Sequence, residues 1–585
     1  MVKNRINLLR QQMIQKGIDI YFLNTSDYHL SEYVPEYFRT IAYFSGFTGS
    51  TASFLLTRDD AYIFVDGRYH VQADKQCLEN DIKVIKLGNK DALDPVKFIK
   101  KNYPKATVGL DGKRTSVSFV KNLLDSSINI ISIDIYSDLI ENRPPLSKNP
   151  VYTLGEEYVG LSRKRKIELI KHCLKDKVHI VNNLESIAYL LNLRGDDILY
   201  TPVFLAYMVI MDDDIYLFSD LERFNEDILD ELYADGIIIR PYISYYDFIK
   251  NIHHRKIILD ENKVNYQSYL NVNRNGNTIY NMRSIIEDMK AIKNPIEQEN
   301  MRQAHIYDAV SLIRFMMWLE NEDKSKYSEY DIQNKIDNFR KEYKAKDLSF
   351  SSIVAYNENA AIVHYFPEKD KCKQLDNQGI LLFDTGGQYD LGTTDITRTI
   401  ALGPVDEEIK KYFTLVLKSM FNLSELKFLK GLSGKQIDII ARKDLWDLGV
   451  DYRHGTGHGV GFNLAVHEAP PNIRYMESES KAEETMLKSG MIFSIEPGVY
   501  FENRFGIRCE NLVLCVKDEE NEYGQFLKFE TLTLVPFDLN LIDKNYLDEK
   551  TIRIINDYHQ RVYDTLSPYL SEEEKEYLKG LTRKL

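Results

Sequence analysis

The chain has 585 residues, too many for one ordinary domain; at about 150 residues per domain, three or four are expected. It is 44% hydrophobic and 28% charged, a composition able to bury large cores and unlike that of extended disorder. With 75 Lys and Arg against 88 Asp and Glu, the formal net charge is −13, and no basic stripe offsets it, which excludes a general nucleic-acid binder.

The N-terminus spaces Ile6, Leu9 and Met13 as an amphipathic helix over residues 5–16, without the apolar core of a signal peptide. Two later stretches resemble each other. Residues 52–66 and 207–220 are each an apolar run, an acidic turn and a second apolar run ending in Asp, the pattern of a β-hairpin. Helical-period segments surround both, including Leu161–Cys173. Two tandem α/β domains are therefore expected, at 1–150 and 151–292. The Pro-rich stretch Glu141-Asn-Arg-Pro-Pro-Leu-Ser-Lys-Asn-Pro150 marks the first boundary and residues 290–295 the second. Next comes a long helix, 296–320, whose expected apolar side is Met301, Ile306, Ala309, Val310, Ile313 and Met317. Residues 293–585 form the last domain, with a polar helical extension from about 537. Five scattered cysteines without a CxxC pair fit a reducing, cytoplasmic compartment, and no apolar run reaches the roughly 20 residues that span a bilayer.

Chemistry concentrates between Ser349 and Asn511. Ile380-Leu-Leu-Phe-Asp384 is strand-like, and a Gly-rich turn leads from it to Thr394-Asp395-Ile-Thr-Arg398, so a hairpin would set Asp384 beside Asp395 at its neck. Two close carboxylates in an apolar frame call for a cation, although two Asp flanking a turn more often face water. His454-Gly-Thr-Gly-His458-Gly-Val-Gly461 and His467 put three histidines within fourteen residues. The alternating glycines would let the backbone pack closely while the imidazoles face a cleft. A nucleotide-binding loop is the rival reading, weakened by the polar segment before it. Met491-Ile-Phe-Ser-Ile-Glu496 and Phe505-Gly-Ile-Arg508-Cys-Glu510 each end an apolar strand on an acid. Asp384, Asp395, His458, Glu496 and Glu510 thus make an oxygen-rich set with one nitrogen, suited to Mn²⁺, Fe²⁺, Co²⁺ or Zn²⁺ and charged enough for two divalent ions.

In this order the motifs resemble those of the pita-bread metallopeptidases, the group of methionine aminopeptidase, prolidase and aminopeptidase P. The likeness is greatest to the cytosolic three-domain Xaa-Pro aminopeptidases. It extends to Val65-Asp-Gly-Arg-Tyr69, Leu191-Asn-Leu-Arg-Gly195, Leu532-Thr-Leu-Val-Pro-Phe537 and Asn556-Asp-Tyr-His559. The implied fold is two creatinase-N-terminal-like α/β domains followed by a pita-bread catalytic domain. The implied activity is hydrolysis of the bond between a peptide's first residue and a second-position proline, by two divalent ions, Mn²⁺ first and Zn²⁺ or Co²⁺ as alternatives. By the same resemblance Asp395 and Glu510 bridge the ions, His458 and Glu496 serve one of them, and Asp384 the other. Glu496 is the proton shuttle. His364 contacts substrate, His467 faces the scissile carbonyl and His454 lines the prolyl pocket. Arg508 resembles a support for a ligand carboxylate and is grouped with the substrate-binding residues, and Arg68 matches a residue reaching into the cleft. A homodimer through the catalytic domain is implied as well. Ala355-Tyr-Asn357 departs from the small residues usual at that place. Prolidase, restricted to dipeptides, is the nearest alternative; a non-catalytic peptide-binding scaffold and metal-free creatinase chemistry are others, both opposed by the complete ligand set.

Overall fold

A computed structural model describes all residues except 125, 126, 213, 479 and 480. Contacts divide the chain into two compact units: residues 1–156 with 161–288, and residues 157–160 with 289–585.

The first unit contains two six-stranded sheets of one topology. In the first, the strands run in the order 83–86, 61–65, 53–57, 20–24, 107–110 and 129–132 across the sheet. The second repeats this with 237–240, 215–218, 207–210, 177–181, 256–259 and 278–281. Pairing directions agree strand for strand. The hairpins 53–57/61–65 and 207–210/215–218 are antiparallel, and both outer pairs are parallel. Both anticipated hairpins therefore form. The helices also correspond: Val2–Gln15 precedes the first strand of its sheet as Arg163–Leu174 does, with Ile6, Leu9 and Met13 buried. Because both faces of the first sheet are covered, its central strands are largely apolar, Ala61–Val65 being buried at every position.

The two sheets meet through equivalent loops, 111–118 and 260–267. Gln267 N donates to Gly112 O (2.8 Å) and, in the matching place, Ser118 N donates to Glu261 O (2.9 Å). Tyr266 N to Thr115 O (2.8 Å) is matched by Val117 N to Val264 O (3.2 Å). An antiparallel bridge between Ser116 and Asn265 lies between these pairs. The repeat in sequence is thus a repeat in structure, packed about a local two-fold axis.

The second unit wraps helices around short antiparallel sheets. Strand Ile380–Thr385 is central in one, between Ile353–Tyr356 and Ile396–Ala401. A four-stranded sheet runs 428–429, 524–531, 511–521 and 492–495. Helix Pro295–Asn321 starts where Asn294 caps it, with Pro295 in the first turn and Glu297 closing a capping box. Its packing differs from the expected single stripe. Leu312, Phe315, Met316 and Leu319 are buried while Ile306 and Met317 are only partly so. Neighbours on more than one side, Glu329–Glu342 and Glu572–Leu581, cover most of its circumference. Helices Glu407–Ser424 and Gly434–Trp446 complete the shell, and the predicted tail forms helices Glu549–Leu566 and Glu572–Leu581. One core joins these helices to the inner faces of both sheets.

Candidate metal centre

Strand register places the acids. Asp384 is opposite Thr397 and Thr385 opposite Ile396, so Asp395, one residue before its strand, comes to the neck of the hairpin next to Asp384. Glu496 follows strand Ile492–Ile495, and Glu510 precedes Asn511–Asn521, which pairs with that strand. Backbone bonds tie these pieces together: Glu496 N donates to Thr456 O (2.8 Å) and Glu510 N to Thr397 O (3.2 Å). The loop bearing His454 and His458 lies against the strand before Glu496 at a distance only glycine permits. A Cβ on Gly457 would stand 1.8 Å from Ser494 O, and one on Gly459 would stand 2.1 Å from Glu468 O.

Asp395, Glu510 and Asp384 are buried, whereas His454, His458, His467 and Glu496 are partly exposed, so the acids form a floor and the imidazoles a mouth. One ligand atom each from Asp395, His458 and Glu510 fits within a mutual 4.8 Å. His458 Nε2 stands 3.5 Å from Asp395 Oδ2 and 3.4 Å from Glu496 Oε1. Its Nδ1 is 3.0 Å from Gly459 O. A carbonyl only accepts, so Nδ1 carries the proton, and in the neutral ring Nε2 presents a lone pair to two carboxylates. Lone pair and acids converge on a space that suits a cation.

The acids register their crowding. Burial first, and then neighbouring carboxylates, hold Asp395 and Glu510 well above the usual carboxylate range. Glu496 is pushed up to about 7, chiefly by burial and further by Asp384, against the opposing pull of Arg508. Asp384 Oδ1 and Glu510 Oε1 are buried without a hydrogen-bond partner, although buried carboxylate oxygens are normally satisfied. Donor chemistry, the converging lone pair and two orphaned oxygens fit divalent ions.

A layer of donors fixes the orientation of this set. Thr397 Oγ1 donates to Glu510 Oε2 (2.7 Å), and Ser494 Oγ donates to Glu496 Oε1 (3.1 Å) while accepting from His458 N (3.0 Å). The Arg508 guanidinium donates to Asp384 Oδ2 (2.5 Å), Tyr500 OH (3.0 Å) and Thr397 Oγ1 (3.1 Å). At 2% exposure its donors are directed into the protein, onto a carboxylate as the resemblance implies, rather than towards a substrate. Arg508 acts on the acids. Tyr500, missed in the sequence, links it to His454, whose Nε2 is 2.8 Å from the Tyr500 hydroxyl. Thr397 and Ser494 were missed too, although each lies two residues from an acid, the strand period that shares a face.

Of the remaining candidates, His467 lies beside His458, ring centroids 4.4 Å apart and nearly perpendicular. The next residue anchors this loop, where Lys293 Nζ and Lys290 Nζ lie 2.6 Å and 3.2 Å from the Glu468 carboxylate. His364 is partly exposed in the segment after the short helix Asn357–Ala361, which packs on strand Phe505–Arg508. The departure at Ala355–Asn357 ends a strand in a left-handed Asn357, whose side chain accepts from Ile380 N (2.9 Å). Arg68 belongs to the first unit, where it donates to Asp66 through Nε (2.9 Å) and Nη2 (2.7 Å).

Fold and site together define a metallohydrolase with a carboxylate-rich centre for divalent ions. Comparison with known proteins narrows this class. A family model described as metallopeptidase family M24 matches residues 299–517, and one for the C-terminal region of that peptidase matches 525–585. Creatinase/prolidase N-terminal domain models match 5–135 and 142–297. Xaa-Pro aminopeptidase 1 of Dictyostelium discoideum is 34% identical, over 98% of this chain and 94% of its own. An Xaa-Pro aminopeptidase of Caenorhabditis elegans is 34% identical over 96% and 94%. A crystal structure of the X-prolyl aminopeptidase from C. elegans, described as a cytosolic enzyme with a di-nuclear active site, superposes with a TM-score of 0.94. It has 30% identity and covers all of both chains. The chain belongs to metallopeptidase family M24, in its Xaa-Pro aminopeptidase branch.

Because Glu496 holds a proton up to about pH 7 and an ion needs the carboxylate free, divalent-ion affinity is expected to weaken as pH falls through 7 rather than through 4.5. Titrating metal-free protein with Mn²⁺ between pH 5.5 and 8.5 checks this. An affinity flat across that range contradicts it.

Proposed function

We propose that the chain is an aminopeptidase that removes the first residue from peptides with proline in second position, using two divalent ions, Mn²⁺ first among Mn²⁺, Zn²⁺ and Co²⁺. The observation that carries this reading is the convergence of Asp395, His458 and Glu510 on one space beside the orphaned Asp384 Oδ1. Full-length similarity to Xaa-Pro aminopeptidases supports the substrate class.

Asp384, Asp395, His458, Glu496 and Glu510 hold the ions, which when bound supply a nucleophile at neutral pH and a Lewis acid for the developing oxyanion. Glu496, open to the cleft, takes a proton from the attacking side and passes it to the leaving amine; its raised affinity for protons suits that exchange near neutrality. His467 donates to the oxygen of the scissile carbonyl. His364 holds the substrate beside the bond. An Xaa-Pro bond is a tertiary amide without N–H, so recognition must come from the ring itself, and His454, held by Tyr500, lines its pocket. We divide the chain into domains at 1–150, 151–292 and 293–585, a division supported by the family-model edges at 135/142 and 297/299.

Prolidase is the competing reading, and the second α/β domain and C-terminal region favour the aminopeptidase. The Mn²⁺-loaded enzyme is expected to cut Xaa-Pro-Xaa tripeptides, and Glu496→Ala or Asp395→Ala to lower turnover by about 10³-fold or more. Cleavage of dipeptides alone, or near-wild-type turnover of either variant, would sink this account.

A cytoplasmic homodimer is the proposed working form. No described helix is long and apolar enough to cross a membrane. Ile439 and Trp446, two turns apart on one helix, are exposed together with Leu448, Tyr475 and Met476. Trp446 packs edge-on against Tyr475 at 5.7 Å. An apolar surface of this kind suits a second copy of the chain. Sedimentation should show a dimer that Trp446→Glu converts to monomer; a wild-type monomer at micromolar concentration contradicts the assignment.

A further inference from the structure

A carboxylate outside the metal centre carries an unusual share of the bonds in this region. Glu329 is the first residue of helix Glu329–Glu342, following the cap Ser328, and is fully buried at 0% exposure. Its Oε1 accepts from Tyr356 N (2.7 Å) and Asn359 Nδ2 (3.0 Å). Its Oε2 accepts from Tyr365 OH (2.7 Å), Lys373 N (2.8 Å) and Asn359 Nδ2 (3.1 Å). In addition, Glu329 N donates to Lys373 O (2.9 Å). Both carboxylate oxygens are thus fully engaged by donors at the helix N-terminus.

These donors belong to one excursion of the chain, which leaves strand Ile353–Tyr356 and returns at Lys373. Tyr356 and Lys373 are its two ends, and Asn359 and Tyr365 stand on either side of His364 in sequence. A single side chain therefore laces the excursion shut at its neck and pins it again within one residue of that histidine. On its other side the excursion is pressed onto strand Phe505–Arg508, so closely that a Cβ on Gly506 would stand 1.9 Å from Ala360 O. The same strand carries Arg508 to Asp384. His364 is thus located relative to the metal centre by Glu329 from one side and by Gly506 from the other.

We infer that Glu329 is a positioning residue for peptide hydrolysis, acting through the placement of His364; the inference rests on the reading of His364 as a substrate contact. Glutamine is the informative replacement because it keeps the volume. Whichever way its amide is turned, an NH₂ group faces a backbone N–H, of Tyr356 or of Lys373, and neither of these can turn to accept. The neck loosens while the metal ligands stay intact.

The test is a double-mutant cycle in the Mn²⁺-loaded enzyme, with an Xaa-Pro-Xaa tripeptide as probe, using Glu329→Gln, His364→Ala and both together. Metal content and melting temperature are followed in each. Glu329→Gln is expected to lower kcat/KM by about 10- to 100-fold with both ions retained, the scale of a misplaced contact. In the His364→Ala background the same change should cost less than about two-fold, since what it positions is gone. Equal losses in both backgrounds, or none in the wild-type background, would overturn the inference while leaving the role of His364 standing. A His364→Ala enzyme of unchanged turnover overturns that role and the inference with it. Should Glu329→Gln not fold, Tyr365→Phe, which removes a single donor next to His364, is put through the same cycle with the same outcomes.

Discussion

Repulsion among acids gathered in a buried space is the constraint around which the catalytic unit is built. Two unit charges 4 Å apart interact by about 4 kcal/mol at an effective dielectric of 20, and Asp384, Asp395, Glu496 and Glu510 are brought together away from bulk water. Arg508 offsets part of this by binding Asp384. Burial first, and with it the remaining repulsion, raises the proton affinities of Asp395, Glu496 and Glu510, and two carboxylate oxygens are left without donors. Divalent cations placed among the acids would relieve it while leaving the carboxylates unprotonated.

Much of the surrounding structure serves to keep that unfavourable arrangement from relaxing. The acids sit at strand ends whose register is fixed by apolar neighbours, and a one-residue slip would turn each to the opposite face. Glycines at 457 and 459 bring the histidine loop into contact with the strand before Glu496, so the imidazole cannot move away from the carboxylates. Thr397, Ser494 and Arg508 occupy the outward lone pairs and leave the inward ones for the ions. Glu329 extends the same logic to the segment that carries His364.

What could be read from the sequence, and what could not, follows from the range of the interactions. Hairpins, helices and the repeated α/β units were legible because each rests on local periodicity and turn chemistry, as in Ser53–Val65 and its counterpart Tyr207–Phe218. The gathering of the acids was legible because acids at the ends of apolar strands are unusual in four places at once. Supporting residues were not. Thr397 and Ser494 look like any strand Thr or Ser until pairing sets them against Glu510 and Glu496. Glu329 reads as an ordinary first-turn acid, since its partners lie 27 to 44 residues away. Arg508 was legible as a support for a carboxylate, but its partner Asp384, 124 residues away, was not. The single expected stripe on helix Pro295–Asn321 failed because helical periodicity cannot anticipate neighbours on several sides.

Relief of the crowded acids by two ions is the central claim. Isothermal titration of the chelated protein with Mn²⁺ at pH 8, with bound metal counted after gel filtration, tests this most directly. Two ions per chain, accompanied by a rise in melting temperature as the carboxylate repulsion is relieved, is the predicted result. Saturation at one ion or none, or a melting temperature unmoved by loading, would contradict it.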